Sequence, residues 1–99
     1  MNMQTEEDKL SFVGDNGDVL GEVSFPEDED GVLNFNHTYV APSERGSGMA
    51  GHLMSQAVRH VRFAGKKARA TCSYAIRWFQ KHPECIDVLA EPPATEPVK

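Results

Sequence analysis

The hydrophobic period of the chain changes near its middle, and this change limits the folds that the chain can adopt. From residue 48 to residue 64, apolar side chains are spaced three and one positions apart, as on one face of a helix; they are Ala50, Leu53, Met54, Ala57, Val58, Val61 and Ala64. Gly65 follows at the position of a C-terminal glycine cap. The pattern therefore predicts an amphipathic helix over residues 48–64.

Three segments before this helix have the composition of β-strands. They span residues 10–13, 19–25 and 32–40. Between the first two, Asn16-Gly17 favours a tight hairpin turn, because both residues tolerate a positive φ. The three segments predict an antiparallel meander.

Alternation along the third segment predicts which of its side chains are buried. Leu33, Phe35 and Tyr39 fall on one face, and His37 falls on that face with them. Two interpretations of His37 remain open. It is either a hydrogen-bonded histidine of the core or, if a bulge turns it toward the site, a general base.

Shorter elements follow the helix. Residues 68–72 predict a strand, and Ser73 predicts the N-cap of a second helix that stops before Pro83. Residues 86–89 give one last turn. The strand–helix–strand unit over residues 32–72 implies a parallel pair of strands with a right-handed crossover.

The order of these elements predicts the fold class. We expect an α/β protein of the α+β type: a mixed, mostly antiparallel sheet with helices packed on it and one parallel strand–helix–strand unit. Ninety-nine residues suffice for one domain, which we expect to span residues 1–90. Residues 91–99, rich in proline and glutamate, predict a disordered tail.

Composition argues against several classes of protein. The net charge of −5 disfavours non-specific nucleic-acid binding. No apolar run approaches the roughly 20 residues that span a bilayer, and the acidic N-terminus lacks the apolar region of a signal peptide. The two cysteines, Cys72 and Cys85, make no disulfide framework, and no metal-ligand spacing is present. We therefore expect a cytoplasmic protein without a metal, a membrane or a nucleic-acid partner.

Charge is divided unevenly along the chain. Residues 6–30 contain ten acids and one base, Lys9, whereas residues 45–81 contain eight bases and no acid. Two interpretations remain open: two solvated faces of opposite sign, or a basic half that holds a polyanionic cofactor beside an acidic half that meets a cationic substrate.

The segment between the third strand and the long helix has the chemistry of a phosphate site. It reads Arg45-Gly46-Ser47-Gly48-Met49-Ala50. Its glycines permit a tight turn, and the first amides of a helix have no partner inside the helix and attract anions. Arg45 adds a cation with planar donors. The alternative is a plain glycine-rich turn, and the spacing fits neither a Walker loop nor a dinucleotide fingerprint.

A motif within this segment resembles a known one. Arg45-x-x-Gly48-x-Ala50 resembles the acyl-CoA motif of the GCN5-related N-acetyltransferases, usually Gln/Arg-x-x-Gly-x-Gly/Ala. Three further segments, His37–Val40, Cys72–Tyr74 and Lys81–Glu84, are similar to the minimal, single-domain branch of that family. The resemblance covers residues 8–89.

The resemblance implies a binding site for acetyl-CoA, the cosubstrate. Its pyrophosphate would lie on the amides of the loop, its pantetheine along the main chain of the preceding strand, and its thioester near the start of the second helix. The implied cofactor-binding residues are Thr38, Tyr39, Val40, Arg45, Gly46, Ser47, Gly48, Met49, Ala50 and Cys72.

Three side chains are candidates for the chemistry. Cys72 lies at the start of the second helix, a location that makes thiols reactive; it is a nucleophile that accepts the acetyl group, a proton donor, or a small apolar residue of the core. Tyr74 lies where larger relatives keep an acid for the CoA thiolate, with a packed tyrosine as the alternative. His37 is the candidate base. Cys85 is expected to be structural.

The resemblance implies an acetyl-CoA-dependent N-acetyltransferase acting on a small-molecule or protein-borne amine. The alternative is a CoA-binding module with vestigial catalysis, because the chain lacks the helices with which larger relatives bind the acceptor. A third hypothesis, a phosphate- or RNA-binding domain, is disfavoured by the net charge. We expect a monomer or a weak homodimer, and the sequence does not identify the acceptor.

Overall fold

Within residues 2–91, which the computed structural model describes, the chain forms six strands and two α-helices. The strands are β1 (Asn2–Thr5), β2 (Lys9–Val13), β3 (Val19–Ser24), β4 (Leu33–Phe35), β5 (His37–Val40) and β6 (Ala68–Ala70), and the helices are α1 (Met49–Ala64) and α2 (Ser73–Lys81). Short 3₁₀ helices span Pro42–Glu44 and Pro83–Val88. In this range neither helix combines the length and the apolar character needed to cross a bilayer.

The strands form two sheets, and together with the helices they confirm the predicted fold class. An antiparallel sheet has the order β1-β2-β3-β5, and β4 pairs with β6 in parallel. The predicted long helix is confirmed as α1, and its cap Gly65 has the left-handed φ of 70°. The chain between β4 and β6 contains α1, which gives the parallel strand–helix–strand unit.

The prediction of one continuous strand over residues 32–40 is wrong, because the chain changes partner at Asn36. Before this residue, the carbonyl of Phe35 accepts hydrogen bonds from the amides of Thr71 and Cys72, both at 3.1 Å, on the side of β6. After it, β5 pairs with β3, beginning at His37 opposite Ser24. The single segment therefore supplies one strand to each sheet.

Other predicted boundaries also change. The strand after α1 ends at Ala70 rather than at residue 72. The strand β1 was not predicted, because its side chains are all exposed and show no apolar alternation; it forms by pairing with β2. The last turn is a 3₁₀ helix over Pro83–Val88 rather than residues 86–89.

The core lies between α1 and the sheets and fixes where α1 begins. Leu53, Met54, Ala57 and Val61 of α1 are fully buried. A Cβ added at Gly21 of β3 would lie 2.9 Å from Leu53 and 3.0 Å from Met49, so the missing side chain lets α1 approach the sheet closely. This close approach holds the first turn of α1 beside the ends of β3 and β5.

Phe35 is the residue whose truncation we expect to cost the most stability. It is fully buried, with ring centroids 5.6 Å from Phe25 and 5.9 Å from Phe79. Phe35→Ala is expected to lower the free energy of unfolding by about 3–5 kcal/mol, measured by urea denaturation. Phe63→Ala is the matched control, because Phe63 is 96% exposed; its effect should stay below about 0.5 kcal/mol. Equal losses in the two variants would contradict this account of the core.

The acidic and basic parts of the sequence meet in the fold. Arg69 of β6 forms ion pairs with Asp28, Asp30 and Glu91, and Lys66 pairs with Glu27. Two bases are therefore engaged with acids of the loop before β4, residues 27–31, which we call the acidic loop. Glu91, which was predicted to begin a disordered tail, contacts Arg69; the rest of that predicted tail lies outside the described residues.

Candidate functional site

The two sheets diverge at Asn36, and the end of β5 and the start of α2 border a common space, which we call the cleft. Strand β5 is the edge strand of its sheet, paired only with β3 among the described strands. Across the cleft, the Thr38 hydroxyl lies 3.6 Å from the Cys72 sulfur. Two of the predicted site residues, 34 positions apart in sequence, are thus neighbours.

The glycine loop, residues 45–48, lies beside this cleft and leads directly into α1. Gly46 and Gly48 have φ of 83° and 85°, the left-handed region that favours glycine. A Cβ at either position would meet no atom within 4 Å, so both glycines border open space. The first amide that donates back along α1 is that of His52, to the carbonyl of Gly48 at 3.0 Å. Among the described residues, the preceding amides of the first turn have no backbone acceptor.

A cavity of about 200 Å³ joins the loop to the cleft. It is lined by Val40, Glu44, Arg45, Gly46, Gly48, Met49, Ala50, Gly51 and Tyr74. Most of the predicted loop residues, one predicted strand residue and one catalytic candidate therefore face one space. Sequence reasoning missed Glu44 and Gly51; the signal for Gly51 was its position in the first turn of the predicted helix, directly after the motif.

Arg45 and Ser47 hold the loop in its conformation. The Arg45 guanidinium donates through Nε to the carbonyl of Val40 at 3.4 Å. The Ser47 hydroxyl donates to the carbonyl of Glu44, and its own amide donates to the same carbonyl at 3.2 Å. Arg45 is exposed at this position, and the guanidinium lies between the end of β5 and the glycine loop.

Cys72, rather than the predicted Ser73, is the N-cap of α2. Its sulfur accepts a hydrogen bond from the amide of Ala75 at 3.3 Å, and Ser73 is the first residue of the helix. The reason is the chain upstream, because the Cys72 amide is held by the Phe35 carbonyl and the residue stays extended. The sulfur is half-buried between this cap and Thr38.

Tyr74 is the second residue of α2, and its side chain faces α1. A Cβ at Gly51 would lie 3.9 Å from the Tyr74 hydroxyl, which places that hydroxyl beside the first turn of α1. Partial burial, and to a lesser degree the electrostatic effect of Cys72, raises the pKa of Tyr74 above its ordinary value. The phenol therefore keeps its proton at neutral pH and is able to donate it.

His37 does not share the buried face that the alternation predicted. The break at Asn36 resets the pattern, so that His37 and Tyr39 are exposed while Thr38 and Val40 are half-buried on the side of α1. The interpretation of His37 as a core histidine is therefore wrong. No described hydrogen bond joins it to Cys72 or Tyr74, and its role as a base stays a prediction.

Two further features, one beside the loop and one far from the cleft, came only from the structure. On the other side of the loop, a cavity of about 320 Å³ is lined by Phe12, His52 and loop residues. The rings of Phe12 and His52 are stacked, with centroids 5.0 Å apart.

Far from the cleft, Arg62 contacts Cys85, and its guanidinium donates to the carboxylate of Asp87 at 2.6 and 3.0 Å. Within residues 2–91, no cluster of three or more His, Cys, Asp or Glu side chains could hold a metal ion.

Comparison with known proteins agrees with this geometry. The model of the GCN5-related N-acetyltransferase family matches residues 10–88. The solution NMR structure of a GCN5-like protein from Staphylococcus aureus superposes with a TM-score of 0.71 and 24% identity, over 96% of this chain and 93% of that one. At this identity the likeness shows the fold. None of the curated proteins compared with the chain matches it. Because the family model matches most of its length, the chain belongs to the GCN5-related N-acetyltransferases, a family of acyltransferases.

Proposed function

We propose that this protein is an acetyl-CoA-dependent N-acetyltransferase whose cosubstrate lies in the cleft between β5 and α2. The observation that carries the proposal is one cavity that is lined by the end of β5, the glycine loop and Tyr74. It brings together an anion-binding helix start, a free strand edge and a proton donor. Family membership supports the class of reaction.

The loop fits the pyrophosphate of the cosubstrate. Its two glycines border open space and carry no side chain that would separate a phosphate from the backbone, and Glu44 also lines this cavity. The first-turn amides of α1 have no backbone acceptor among the described residues and carry the positive end of the helix dipole. Arg45 adds a guanidinium between loop and strand. These groups would bind two phosphates at the start of α1.

The free edge of β5 fits an extended, amide-bearing chain such as pantetheine. An unpaired strand edge presents backbone N–H and C=O groups that pair with an extended ligand. Thr38, Tyr39 and Val40 lie along this edge, and the Val40 carbonyl at its end accepts a hydrogen bond from Arg45. A chain that follows it from the loop passes Val40 first and reaches Thr38, which lies 3.6 Å from the Cys72 sulfur. The thioester would therefore end near Cys72.

Acetyl transfer needs groups that move two protons. Acetyl-CoA supplies the thioester: the acceptor nitrogen forms a bond to its carbonyl carbon, the carbon–sulfur bond breaks, and CoA leaves as a thiolate. Tyr74 would donate its proton to that sulfur, because it lies two residues after Cys72 at the start of α2 and stays protonated. His37 would accept the proton that the amine loses. Cys72 would act either as a second donor or as a nucleophile that carries the acetyl group.

One observation favours the alternative of a CoA-binding module with vestigial catalysis. The first three strands follow each other through short turns, without helices between them that would enclose an acceptor. Turnover separates the two functions. Incubation with acetyl-CoA and a panel of amines, followed by mass spectrometry, should show an acetylated amine and free CoA. CoA binding without transfer to any amine would favour the module.

Arg45→Ala tests the phosphate end of the site. The variant is expected to weaken CoA binding by about 1–3 kcal/mol, the range for a lost hydrogen bond to a charged group. The loss should shrink as salt rises, because the guanidinium is exposed. Calorimetry would compare CoA with pantetheine, which lacks phosphate and should lose nothing. Arg59→Ala removes an exposed arginine elsewhere on α1 and serves as the control. An equal loss for CoA and pantetheine would show that Arg45 does not face phosphate.

A further inference from the structure

The edge strand β5 has two faces, and the proposed cosubstrate site occupies only one. Thr38 and Val40 are directed toward α1 together with their cross-strand partners Val23 and Gly21. His37 and Tyr39 project from the opposite face, because successive side chains of a strand alternate. We call this opposite face of the antiparallel sheet the outer face. It is open to solvent at Tyr39, which is 40% exposed.

A carboxylate lies next to Tyr39 on the outer face. Glu22 of β3 is directly opposite Tyr39, and Ser11 of β2 is directly opposite Glu22, so the three side chains form a row across the sheet. Glu22 is half-buried, and the Ser11 hydroxyl donates to its Oε2 at 3.4 Å. This is the one hydrogen bond to the carboxylate from the described part of the chain.

The charges around this row leave Glu22 able to bind a cation. Lys9 is the nearby base, and Glu22 contributes to raising its pKa, but less than Glu6, with which Lys9 forms an ion pair at 3.4 Å. His37 lies in the neighbouring row of the same face, opposite Ser24. The outer face therefore presents a carboxylate, an aromatic ring and an imidazole beside the edge at which the thioester would lie.

We propose that the outer face binds the acetyl acceptor, and that Glu22 and Tyr39 recognise a cationic residue two positions from the lysine that is acetylated in a basic polypeptide segment. The inference rests on the proposed function, since it places the acceptor relative to the acetyl group. Strand spacing of about 4.8 Å puts Glu22 one strand behind β5. In an extended segment, side chains two residues apart project to the same side about 7 Å apart. One cation can then lie on Glu22 and Tyr39 while the reacting amine reaches the edge of β5.

A polypeptide fits this face better than a small amine. Sites for small molecules are concave and bury most of the ligand, whereas Tyr39 and His37 stand exposed on an open sheet. An extended basic segment gains contacts with Glu22 and Tyr39 without a pocket, and the ring of Tyr39 suits a guanidinium or an ammonium. The carboxylate supplies the charge complementarity.

The arrangement also separates the two proton transfers. The acceptor nitrogen would approach the carbonyl carbon from the outer face, where His37 accepts its proton. The leaving sulfur would lie on the face of Thr38, where Cys72 and Tyr74 are located. The C–N bond forms and the C–S bond breaks at the same carbonyl carbon, with the nitrogen toward His37 and the sulfur toward Cys72 and Tyr74, so the base and the acid would act on different sides of that carbon.

The test compares two acetyl-capped peptides, Ala-Lys-Ala-Arg-Ala and Ala-Lys-Ala-Ala-Ala, as acceptors for acetyl-CoA. The KM of the arginine peptide should be about fivefold lower, as for a favourable surface ion pair. Glu22→Gln should abolish this difference, and Tyr39→Leu should reduce it, with the KM of acetyl-CoA unchanged in Glu22→Gln. Glu29→Gln removes the same charge from an exposed position of the acidic loop and should keep the difference.

Three results would overturn the inference: equal KM values for the two peptides in the native protein, a difference that persists in Glu22→Gln, or a higher kcat/KM for spermidine than for the arginine peptide. If free amines are acetylated but neither peptide is, the inference fails and the proposed function stands. If no amine of any kind is acetylated and calorimetry detects no CoA binding, both fail.

Discussion

Gly48→Val is expected to abolish CoA binding while the protein stays folded. The φ of 85° at this position disfavours a β-branched residue, and the new side chain would fill the open space that borders the first amides of α1. Strain in the left-handed region costs about 1–2 kcal/mol, which leaves a domain of ordinary stability folded. Calorimetry with CoA and thermal unfolding would measure both effects.

The matched control is Gly31→Val. Gly31 has φ of 76° and also borders open space, but it lies in the acidic loop before β4. The two variants should lose similar stability, because the backbone strain is the same, and only Gly48→Val should lose CoA binding. Unchanged CoA affinity in folded Gly48→Val would show that the pyrophosphate does not bind at this loop. Loss of CoA affinity in both variants would show that the loss comes from reduced stability and not from a blocked binding site.

Cys72→Ala is expected to lower kcat for acetyl transfer about 100-fold, the lower range for removing a group that transfers a proton. CoA affinity should not change, because the phosphate groups would bind at the loop. The substitution also removes the sulfur that accepts the Ala75 amide at 3.3 Å, so stability should fall by about 1 kcal/mol. Steady-state kinetics and urea denaturation would separate the two effects.

Cys72→Ser separates the roles of the sulfur. Serine is a strong N-cap, so this variant should regain the stability that the alanine variant loses. Partial recovery of kcat would identify Cys72 as a proton donor, since a hydroxyl can donate, whereas no recovery would favour an acetyl-carrying thiol. A native kcat in Cys72→Ala would exclude both roles and leave Tyr74 as the donor.

The helix and the loop were predictable from sequence because each has a local signal. The apolar spacing over residues 48–64 requires a helix whatever surrounds it, and Gly65 marks its end. The two glycines before Met49 indicate a tight turn without reference to any partner. The family motif then follows from the same residues, which is why the candidate binding loop was found before the cleft.

The cleft itself was not predictable from local pattern, because it depends on a partner strand far along the chain. Large side chains recur at every second position from Leu33 to Tyr39, with His37 among them, so the pattern favours one continuous strand and does not place a break at Asn36. The break arises because the Phe35 carbonyl binds the amides of Thr71 and Cys72, more than thirty residues later. The same bonds hold Cys72 extended and shift the N-cap of α2 from Ser73, which is the better cap by residue type.

The position of CoA on the folded protein tests the account most directly. Titration of ¹⁵N-labelled protein with CoA should shift the amide resonances of Gly46, Gly48 and Ala50 most strongly, with smaller shifts along β5. A third cavity, of about 910 Å³, lies at the other end of α1 and is lined by Glu6, Asp8, His60 and neighbouring residues. The amide resonances of the residues that line this cavity should not shift. Shifts that are largest around His60, or that leave the loop amides unchanged, would contradict the proposal that the glycine loop holds the pyrophosphate.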